Sequence, residues 1–370
     1  MAIFTDNQPD YRRPPRGGGW FGWGLIAVAI IAITTIALVP SPYVIENPGP
    51  VYDVLSTVEV EGDDVALIEI PVQETFPTQG ALDMLTVSIR GNRENPVNWL
   101  DIALAWLDPS KAVVPIDSIY PEGQTVDQAN EENAVLMTSS QQEAIAAALV
   151  NLDYDVSTVV SVGTVGEGTP AEGVLEEGDV ITKFNGVAVT DASQLRDAIK
   201  ANGVDDEATI SVTRDGKALN LPITPVLSDT DEPTPIVGIV LASAYDFPFE
   251  VTIQLEDVGG PSAGQMFALG IIDKLTPGPL NGGENVAGTG TITEDGVVGP
   301  IGGIRQKMYG ALDAGATYFL APLENCNEVV DHIPDGLTVF STSSLDESKV
   351  ILAAIADGGS TAGLPTCEAQ

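Results

Sequence analysis

The feature that most constrains this chain is a turn between an apolar strand-like segment and an apolar helix-like one. We predict a strand over residues 249–256 and a helix over residues 263–274; the turn between them reads Asp257-Val258-Gly259-Gly260-Pro261-Ser262. Glycines and a proline allow the backbone to turn sharply just before Ser262. Because the first N–H groups of a helix lack internal partners, the amides of Gly260 and Ser262 are candidates for an oxyanion site beside the serine hydroxyl.

Ser262 also fits a purely structural role, since its spacing from Gln265 is that of a capping box. A serine hydroxyl is a poor nucleophile at neutral pH unless a base removes its proton. The catalytic interpretation therefore depends on a second segment that brings a base.

That second segment follows the predicted helix. Residues 289–293 read Thr-Gly-Thr-Ile-Thr, a Glu-Asp-Gly turn follows at 294–296, and residues 300–307 read Pro-Ile-Gly-Gly-Ile-Arg-Gln-Lys. With the Gly-Pro-Ser-Ala-Gly motif around Ser262, these segments resemble the proteolytic domain of Lon-type serine proteases. The resemblance implies a dyad of Ser262 and Lys307, 45 positions apart, with Thr289 bonded to the lysine. It also implies a Lon-type α/β domain over residues 236–357.

A lysine can act as the base if burial lowers its pKa, because desolvation disfavours the ammonium form. The rival Lys274 lies 12 positions after Ser262 along one predicted helix, or roughly 18 Å at 1.5 Å per residue. His332, the only histidine, has no motif around it. The chain departs from many Lon proteases at Gly259, where they carry an acidic residue; Asp257 and Glu256 are candidate substitutes.

A second resemblance covers residues 151–228. The segment Thr169–Ile181, the turn at Asn185-Gly186 and the hairpin at Asp215-Gly216 resemble a bacterial PDZ domain, a β-barrel-like module that binds extended peptides at a strand edge. The resemblance points to Leu152, Asp153 and Tyr154 as the peptide-binding loop, although an acidic Asp153 replaces the usual glycine. The alternative is an internal module that gates the protease without binding a free C-terminus. Residues 229–235 read as the linker.

Residues 43–150 are predicted to supply the N-terminal part of the Lon-like region, so the PDZ domain would be an insertion. We predict strands at 51–58, 65–70 and 82–89 and helices at 96–107 and 139–149, with Ser139 or Ser140 as the cap of the last helix.

Trp20 to Val39 is a run of 20 uncharged residues, long enough to cross a hydrocarbon core of about 30 Å as a helix. Arg12, Arg13 and Arg16 precede it, which predicts a cytoplasmic segment at 1–19, a transmembrane helix at 20–39 and an extracytoplasmic remainder. A cleaved signal peptide is the competing interpretation.

Export favours a disulfide between Cys326 and Cys367 that ties down the tail at 358–370; two unpaired thiols are the alternative.

Charge and composition exclude several functions. The formal net charge of −38, from 53 acidic and 15 basic residues, argues against a nucleic-acid-binding surface. Two cysteines and one histidine are too few for a structural zinc site, and no G-x-x-x-x-G-K-[ST] phosphate loop is present. We therefore expect no metal, no cofactor and no ATPase motor in this chain.

Together these features predict an α/β (α+β) protein with one N-terminal transmembrane helix and a Lon-type domain interrupted by a PDZ domain. The predicted function is an ATP-independent serine endopeptidase, anchored in the cell membrane, that acts on extracytoplasmic or membrane-proximal protein or peptide substrates. Lon-like rings would make it a homo-oligomer. The alternatives are a non-catalytic PDZ adaptor tethered to the membrane and a serine hydrolase acting on another acyl bond.

Overall fold

A computed structural model describes residues 23–31, 39–60, 62–121, 123–166, 168–190, 192–204, 206–228, 233–255, 258–359 and 361–367. The chain divides into two compact units. The first comprises Met1–Asn47 and Ser88–Val126, and the second comprises Pro48–Val87 and Asp127–Gln370.

Besides the partly described helical segment at residues 23–31, the α-helices and strands of the described chain are as follows. The helices are α1 (Trp99–Ala105), α2 (Ile116–Ile119), α3 (Val126–Asn151), α4 (Ala192–Asn202), α5 (Gly264–Leu275), α6 (Ile304–Asp313), α7 (Cys326–Val329) and α8 (Leu345–Ala356). The strands are β1 (Tyr43–Asp53), β2 (Thr57–Val60), β3 (Asp63–Ala66), β4 (Ile68–Glu69), β5 (Ala81–Arg90), β6 (Ala112–Pro115), β7 (Ser157–Val165), β8 (Val180–Phe184), β9 (Val187–Ala188), β10 (Ala208–Arg214), β11 (Lys217–Ile223), β12 (Val226–Leu227), β13 (Pro235–Ile236), β14 (Ile239–Asp246), β15 (Thr252–Ile253), β16 (Asn285–Gly288), β17 (Thr291–Ile292), β18 (Val298–Gly299), β19 (Tyr318–Pro322) and β20 (Thr338–Thr342).

The first unit has a small core of its own. The beginning of β1 pairs antiparallel with β6, from Tyr43 opposite Pro115 to Glu46 opposite Ala112. Helix α1 begins after Asn98, whose side-chain oxygen accepts hydrogen bonds from the amides of Leu100 and Asp101. Its inward side chains pack with Ile45 and Val97.

The second unit contains a parallel sheet in which β5, β16, β19 and β20 are neighbours in that order. Successive side chains of a strand point to opposite faces. Accordingly Val286 and Leu320 join the cluster that contains α5 and α8, whereas Ala287 and Phe319 join the cluster that contains α6. The sheet is therefore covered by helices on both faces, as parallel sheets require.

A second sheet follows α3, with the strand order β11-β10-β8-β7-β14 and β9 paired to β8. Helix α4 covers its core, in which Leu195 and Ile199 contact buried residues such as Ile210. The large cluster beside α5 joins residues from Val54 to Leu149 with residues from Phe249 to Ile355. The smaller sheet therefore lies between two sequence segments that share one hydrophobic core.

Two predicted boundaries differ from the structure. Residues 236–242 were predicted to form a strand of the Lon-type domain that leads to Ser262. In the structure the strand is β14 (Ile239–Asp246), which pairs along its whole length with β7 and belongs to the smaller sheet. Helix α3 begins at Val126 rather than at residue 139, so Ser139 and Ser140 lie in mid-helix and neither is a cap.

The apolar run near the N-terminus is described only in part. Residues 23–31 are helical, whereas residues 20–22 and 32–38 of the predicted transmembrane helix lie outside the described residues. In the described ranges no helix combines the length and the apolar character needed to cross a membrane.

Candidate active site

Ser262 lies at the end of the glycine-rich turn, one residue before the N-cap of α5. The N-cap of α5 is Ala263, and none of the described side chains caps the helix by a hydrogen bond. The Ser262 hydroxyl instead accepts a hydrogen bond from Lys307, so the capping-box interpretation is wrong. The strand before the turn is shorter than predicted, since only Thr252–Ile253 is extended; Glu256 and Asp257 lie outside the described residues.

Lys307 lies in the first turn of α6, and the backbone before it explains its position. The N-cap is Gly303, in the left-handed region at φ 69°. A Cβ at this glycine would lie 2.6 Å from Cγ2 of Val87, so only glycine fits the approach of α6 to β5. The amide of Lys307 donates to the Gly303 carbonyl at 3.1 Å, which begins the helix.

The two predicted dyad residues are in direct contact. Nζ of Lys307 lies 2.7 Å from Oγ of Ser262. The lysine side chain is 2% exposed, and no acidic side chain is paired with it in the described part of the chain. Burial without a counter-charge disfavours the ammonium form and lowers the pKa of Lys307 to about 7. A substantial fraction of this amine is therefore neutral at neutral pH and can accept a proton.

Thr289 holds the lysine and the serine together. It is fully buried, and its hydroxyl donates to the Ser262 carbonyl at 2.9 Å while accepting from Nζ of Lys307 at 2.9 Å. A hydroxyl can donate one hydrogen bond and accept others, so one side chain orients both partners. The amide of Gly290 also donates to the Ser262 carbonyl, at 2.9 Å. The Ser262 backbone is thereby fixed relative to the segment between β16 and β17 that carries Thr289.

The predicted oxyanion amides differ in availability. The amide of Gly260 donates to the Asn133 carbonyl on α3 at 2.9 Å, so in this structure it is not free for a substrate. This corrects the assignment of Gly260 as an oxyanion donor; its role here is to anchor the turn, at φ 89°. The amide of Ser262 has no acceptor among the described residues and remains the candidate donor.

A steric contact explains why residue 259 is a glycine. A Cβ on Gly259 would lie 2.7 Å from Cβ of Asn133, so helix α3 occupies the space that a side chain would need. The acidic residue that the resemblance leads one to expect at this position does not fit against α3. A cavity of about 510 Å³ adjoins this contact, lined by Val87, Asn130, Asn133, Ala134, Val258 and Gly259.

The rival bases lie elsewhere. Lys274 is in the last turn of α5, where Asp53 and Asp273 are its charged neighbours. His332 contacts the Val330 carbonyl through Nδ1 at 3.0 Å. Within the described residues no group of three His, Cys, Asp or Glu side chains is placed to hold a metal ion. The expectation of no metal and no cofactor stays a prediction.

The predicted peptide-binding loop lies outside the core of the smaller sheet. Leu152 and Tyr154 pack against the large hydrophobic core beside α5, and the Tyr154 ring meets that of Phe249 edge-on at 5.1 Å. Asp153 is exposed between them, with φ 62°. The groove of the smaller sheet lies instead between α4 and the segment that leads into β14. This cavity of about 590 Å³ is lined by Leu195, Arg196, Asp197, Ile199, Lys200 and residues 234–241.

The two cysteines form a disulfide, with their Cα atoms 4.9 Å apart. The bond joins the beginning of α7 to the C-terminal segment. The carbonyl of Pro365 in that segment accepts a hydrogen bond from the Ser341 amide on β20 at 3.0 Å.

From the sequence, the strand beside the groove was assigned to the Lon-type domain rather than to the smaller sheet, and the contacts of α3 with the catalytic turn were not predicted. A signal for the first was present, since Ile236-Val237-Gly238-Ile239 places a glycine between apolar residues just before an edge strand. For the second no local signal exists, because Asn133 and Ser140 meet the turn only through the tertiary fold.

Two protein families match parts of the chain. The family described as "PDZ domain" matches residues 135–224, and the family described as "Lon protease (S16) C-terminal proteolytic domain" matches residues 257–355. The chain therefore carries a PDZ domain and a serine-peptidase domain of the Lon type, in that order.

Curated relatives agree with the second match. Lon protease 2 of Herpetosiphon aurantiacus is 43% identical over 91 residues, which are 24% of this chain and 11% of that protein. Lon protease 1 of Bacillus subtilis is 37% identical over 106 residues, or 28% and 13% of the two chains. Lon protease of Helicobacter pylori is 28% identical over 180 residues, or 46% and 21%. The chain thus spans about a tenth to a fifth of the length of these relatives.

Among solved structures, the crystal structure of the PDZ domain of an SdrC-like protein from Listeria monocytogenes shares 30% identity. The likeness covers 22% of this chain and 86% of that chain, with a TM-score of 0.21.

Proposed function

We propose that this protein is a serine endopeptidase in which Ser262 is the nucleophile and Lys307 is the general base. The observation that carries this proposal is the 2.7 Å contact between Nζ of Lys307 and Oγ of Ser262, made by a buried lysine whose pKa is lowered to about 7. A structural lysine gains nothing from such burial, because desolvating an ammonium group without a counter-charge destabilises the folded chain.

The proposed reaction follows from this geometry. Neutral Lys307 takes the proton of the Ser262 hydroxyl as Oγ attacks the carbonyl carbon of the scissile peptide bond. The carbonyl oxygen becomes an oxyanion, and in this proposal the amide of Ser262 donates a hydrogen bond that stabilises it. The bond to the nitrogen then breaks, Lys307 protonates the leaving amine, and an acyl-enzyme forms on Ser262. Water, deprotonated by Lys307, releases the acyl group by the same route.

The PDZ domain would recognise the substrate or gate the protease. Strand β14 is the edge of its sheet and faces α4 across the groove. An extended peptide can add to such an edge by main-chain hydrogen bonds, and Leu195, Ile199 and Leu241 offer it an apolar wall. The expectation of a peptide site at Leu152–Tyr154 is therefore replaced in this proposal by residues 234–241 and α4.

We further propose that the protein is anchored in the membrane and cleaves extracytoplasmic or membrane-proximal substrates. The uncharged run from Trp20 to Val39 and the three arginines before it support this placement. The disulfide between Cys326 and Cys367 is compatible with an oxidising compartment. Because the chain contains no phosphate-loop motif, we propose that it needs no ATP and accepts segments that are already unfolded. Assembly into a homo-oligomer is part of the same hypothesis.

The test uses the full chain and fluorescently labelled unfolded casein as the substrate. We expect cleavage by the wild type and none by Ser262→Ala or Lys307→Ala, with circular dichroism showing that both variants are folded. Lys217→Ala changes an exposed lysine at the start of β11, serves as the matched control and should cleave like the wild type. Cleavage by either dyad variant at the wild-type rate would refute the mechanism.

A wild type that binds peptides but cleaves none would favour the alternative, a non-catalytic PDZ adaptor. Turnover of small esters without cleavage of any peptide would favour a hydrolase that acts on another acyl bond.

A further inference from the structure

Ser140 lies in the middle of α3 and reaches the catalytic turn from a distant part of the sequence. Its side chain is 1% exposed, and its hydroxyl donates to the Pro261 carbonyl at 3.0 Å. The two residues are 121 positions apart, and the contact joins the carbonyl directly before Ser262 to a helix that carries neither dyad residue.

The neighbouring backbone is adapted to this contact. A Cβ on Gly264 would lie 3.0 Å from Oγ of Ser140 and 2.8 Å from Cγ2 of Ile292, so the glycine lets α3 and the start of α5 approach closely. Helix α3 makes a second contact two turns earlier, where the Asn133 carbonyl accepts from the Gly260 amide at 2.9 Å. Residues seven positions apart lie on the same face of a helix. One face of α3 therefore holds two peptide groups of the turn.

The Pro261 carbonyl matters because it shares a planar peptide group with the Ser262 amide. In a planar trans peptide group the C=O and N–H bonds point in opposite directions, so fixing one direction fixes the other. The hydrogen bond from Ser140 thus determines where the Ser262 N–H points. That amide has no acceptor among the described residues.

We infer that Ser140 is a positioning residue for catalysis, which orients the Pro261–Ser262 peptide group so that the Ser262 amide faces the developing oxyanion. This inference rests on the proposed function. Ser140 touches no reacting atom and acts only through the turn. Its loss should therefore weaken stabilisation of the transition state and leave substrate binding unchanged.

The test compares Ser140→Ala with two control variants in the full chain. The substrate is a fluorogenic peptide that contains a sequence cleaved in the casein assay. We expect kcat to fall roughly tenfold to a hundredfold, short of the loss seen when an oxyanion donor is removed outright, and KM to stay within about twofold. Ser139→Ala changes an exposed neighbour on the same helix and should leave both constants unchanged. Ala147→Gly removes a buried methyl group two turns after Ser140 and weakens α3 without removing a hydrogen-bonding side chain, so it should also retain kcat. Ser140→Thr, which restores a hydroxyl, should recover part of the lost kcat.

The outcomes separate the inference from the proposed function. Wild-type cleavage together with a wild-type kcat for Ser140→Ala would overturn the inference alone. An equal loss of kcat in Ala147→Gly and Ser140→Ala would also overturn it, since Ser140 would then only support the helix. A wild type that cleaves no peptide would overturn the proposed function and this inference with it.

Discussion

Lys307 is buried, and no acidic side chain in the described part of the chain pairs with its amine. Its amine contacts two hydroxyls, Ser262 and Thr289, and desolvation lowers its pKa from the ordinary 10.5 to about 7. Between these two pH values the unfolded chain holds one proton more than the folded chain at this residue. The contribution of Lys307 to stability therefore rises with pH across that window and is constant below it.

This linkage gives a prediction that is independent of catalysis. Compared with Lys307→Met, which cannot titrate, the free energy of unfolding of the wild type should rise by about 1.4 kcal/mol per pH unit above pH 7. Urea unfolding of both proteins at pH 7 and pH 9 measures the difference, which we expect to change by roughly 2 kcal/mol. Equal pH dependence in the two proteins would show that the amine is protonated in the folded chain.

The sequence allowed the three residues of the dyad network to be predicted, because Ser262, Thr289 and Lys307 each sit in a motif with a recognisable spacing. Ser140 could not be predicted in the same way. A serine within a polar helix has no local signature, and its contact with Pro261 exists only after α3 packs against the turn. The engagement of the Gly260 amide by Asn133 was missed for the same reason.

At the scale of elements, the beginning of α6 decides where Lys307 lies. Gly303 has a left-handed conformation and touches Val87, whereas a Cβ on the preceding Gly302 would meet no atom within 4 Å. Position 303 therefore requires glycine and position 302 does not, although the two glycines are adjacent in one motif.

Gly303→Ala should destabilise the fold by about 1–3 kcal/mol, because it combines a left-handed backbone with a steric contact to β5. It should also reduce kcat, since α6 must shift and carries Lys307 with it. Gly302→Ala is the matched control and should change stability by no more than about 0.5 kcal/mol. Urea unfolding and kcat of both variants test this; equal effects would show that the left-handed cap is unimportant.

The predicted elements were accurate where the apolar pattern was strong and inaccurate where pairing depends on distant residues. The segments that became β5, α5 and α6 all carry apolar side chains at a regular spacing. The first half of α3 was missed because it begins with residues 127–133, of which six are polar and three of those acidic. Strand β14 was recognised as a strand but placed in the wrong sheet, because an apolar strand does not indicate its partner.

At the scale of the molecule, the second unit places a PDZ domain between two sequence segments that build one hydrophobic core. The motifs predicted the order of the PDZ and Lon-type segments but not the division of the chain at residues 47, 88 and 126, which follows from contacts between distant residues. In the same unit the C-terminal segment is held by the disulfide. It is also held by a hydrogen bond from the Ser341 amide, on the edge strand β20, to the Pro365 carbonyl.

Removal of this disulfide should destabilise the fold without affecting the chemistry. The bond closes a loop of 41 residues, for which the chain-entropy model gives about 4 kcal/mol. We expect a double Cys326→Ser, Cys367→Ser variant to lose up to that amount in urea unfolding and to keep kcat within about twofold, because neither cysteine contacts the dyad. A variant as stable as the wild type would show that the bond does not hold the tail in solution.

If a neutral lysine amine takes the proton of Ser262, the pH dependence of kcat/KM should follow the titration of Lys307. For the wild-type chain, kcat/KM should rise about tenfold per pH unit below pH 7 and level off above it, as the free amine of Lys307 becomes available. Lys307→Arg, which stays protonated at every pH in the range, should be inactive throughout. A kcat/KM that does not change between pH 6 and pH 8, or a rise that survives in Lys307→Arg, would contradict the account.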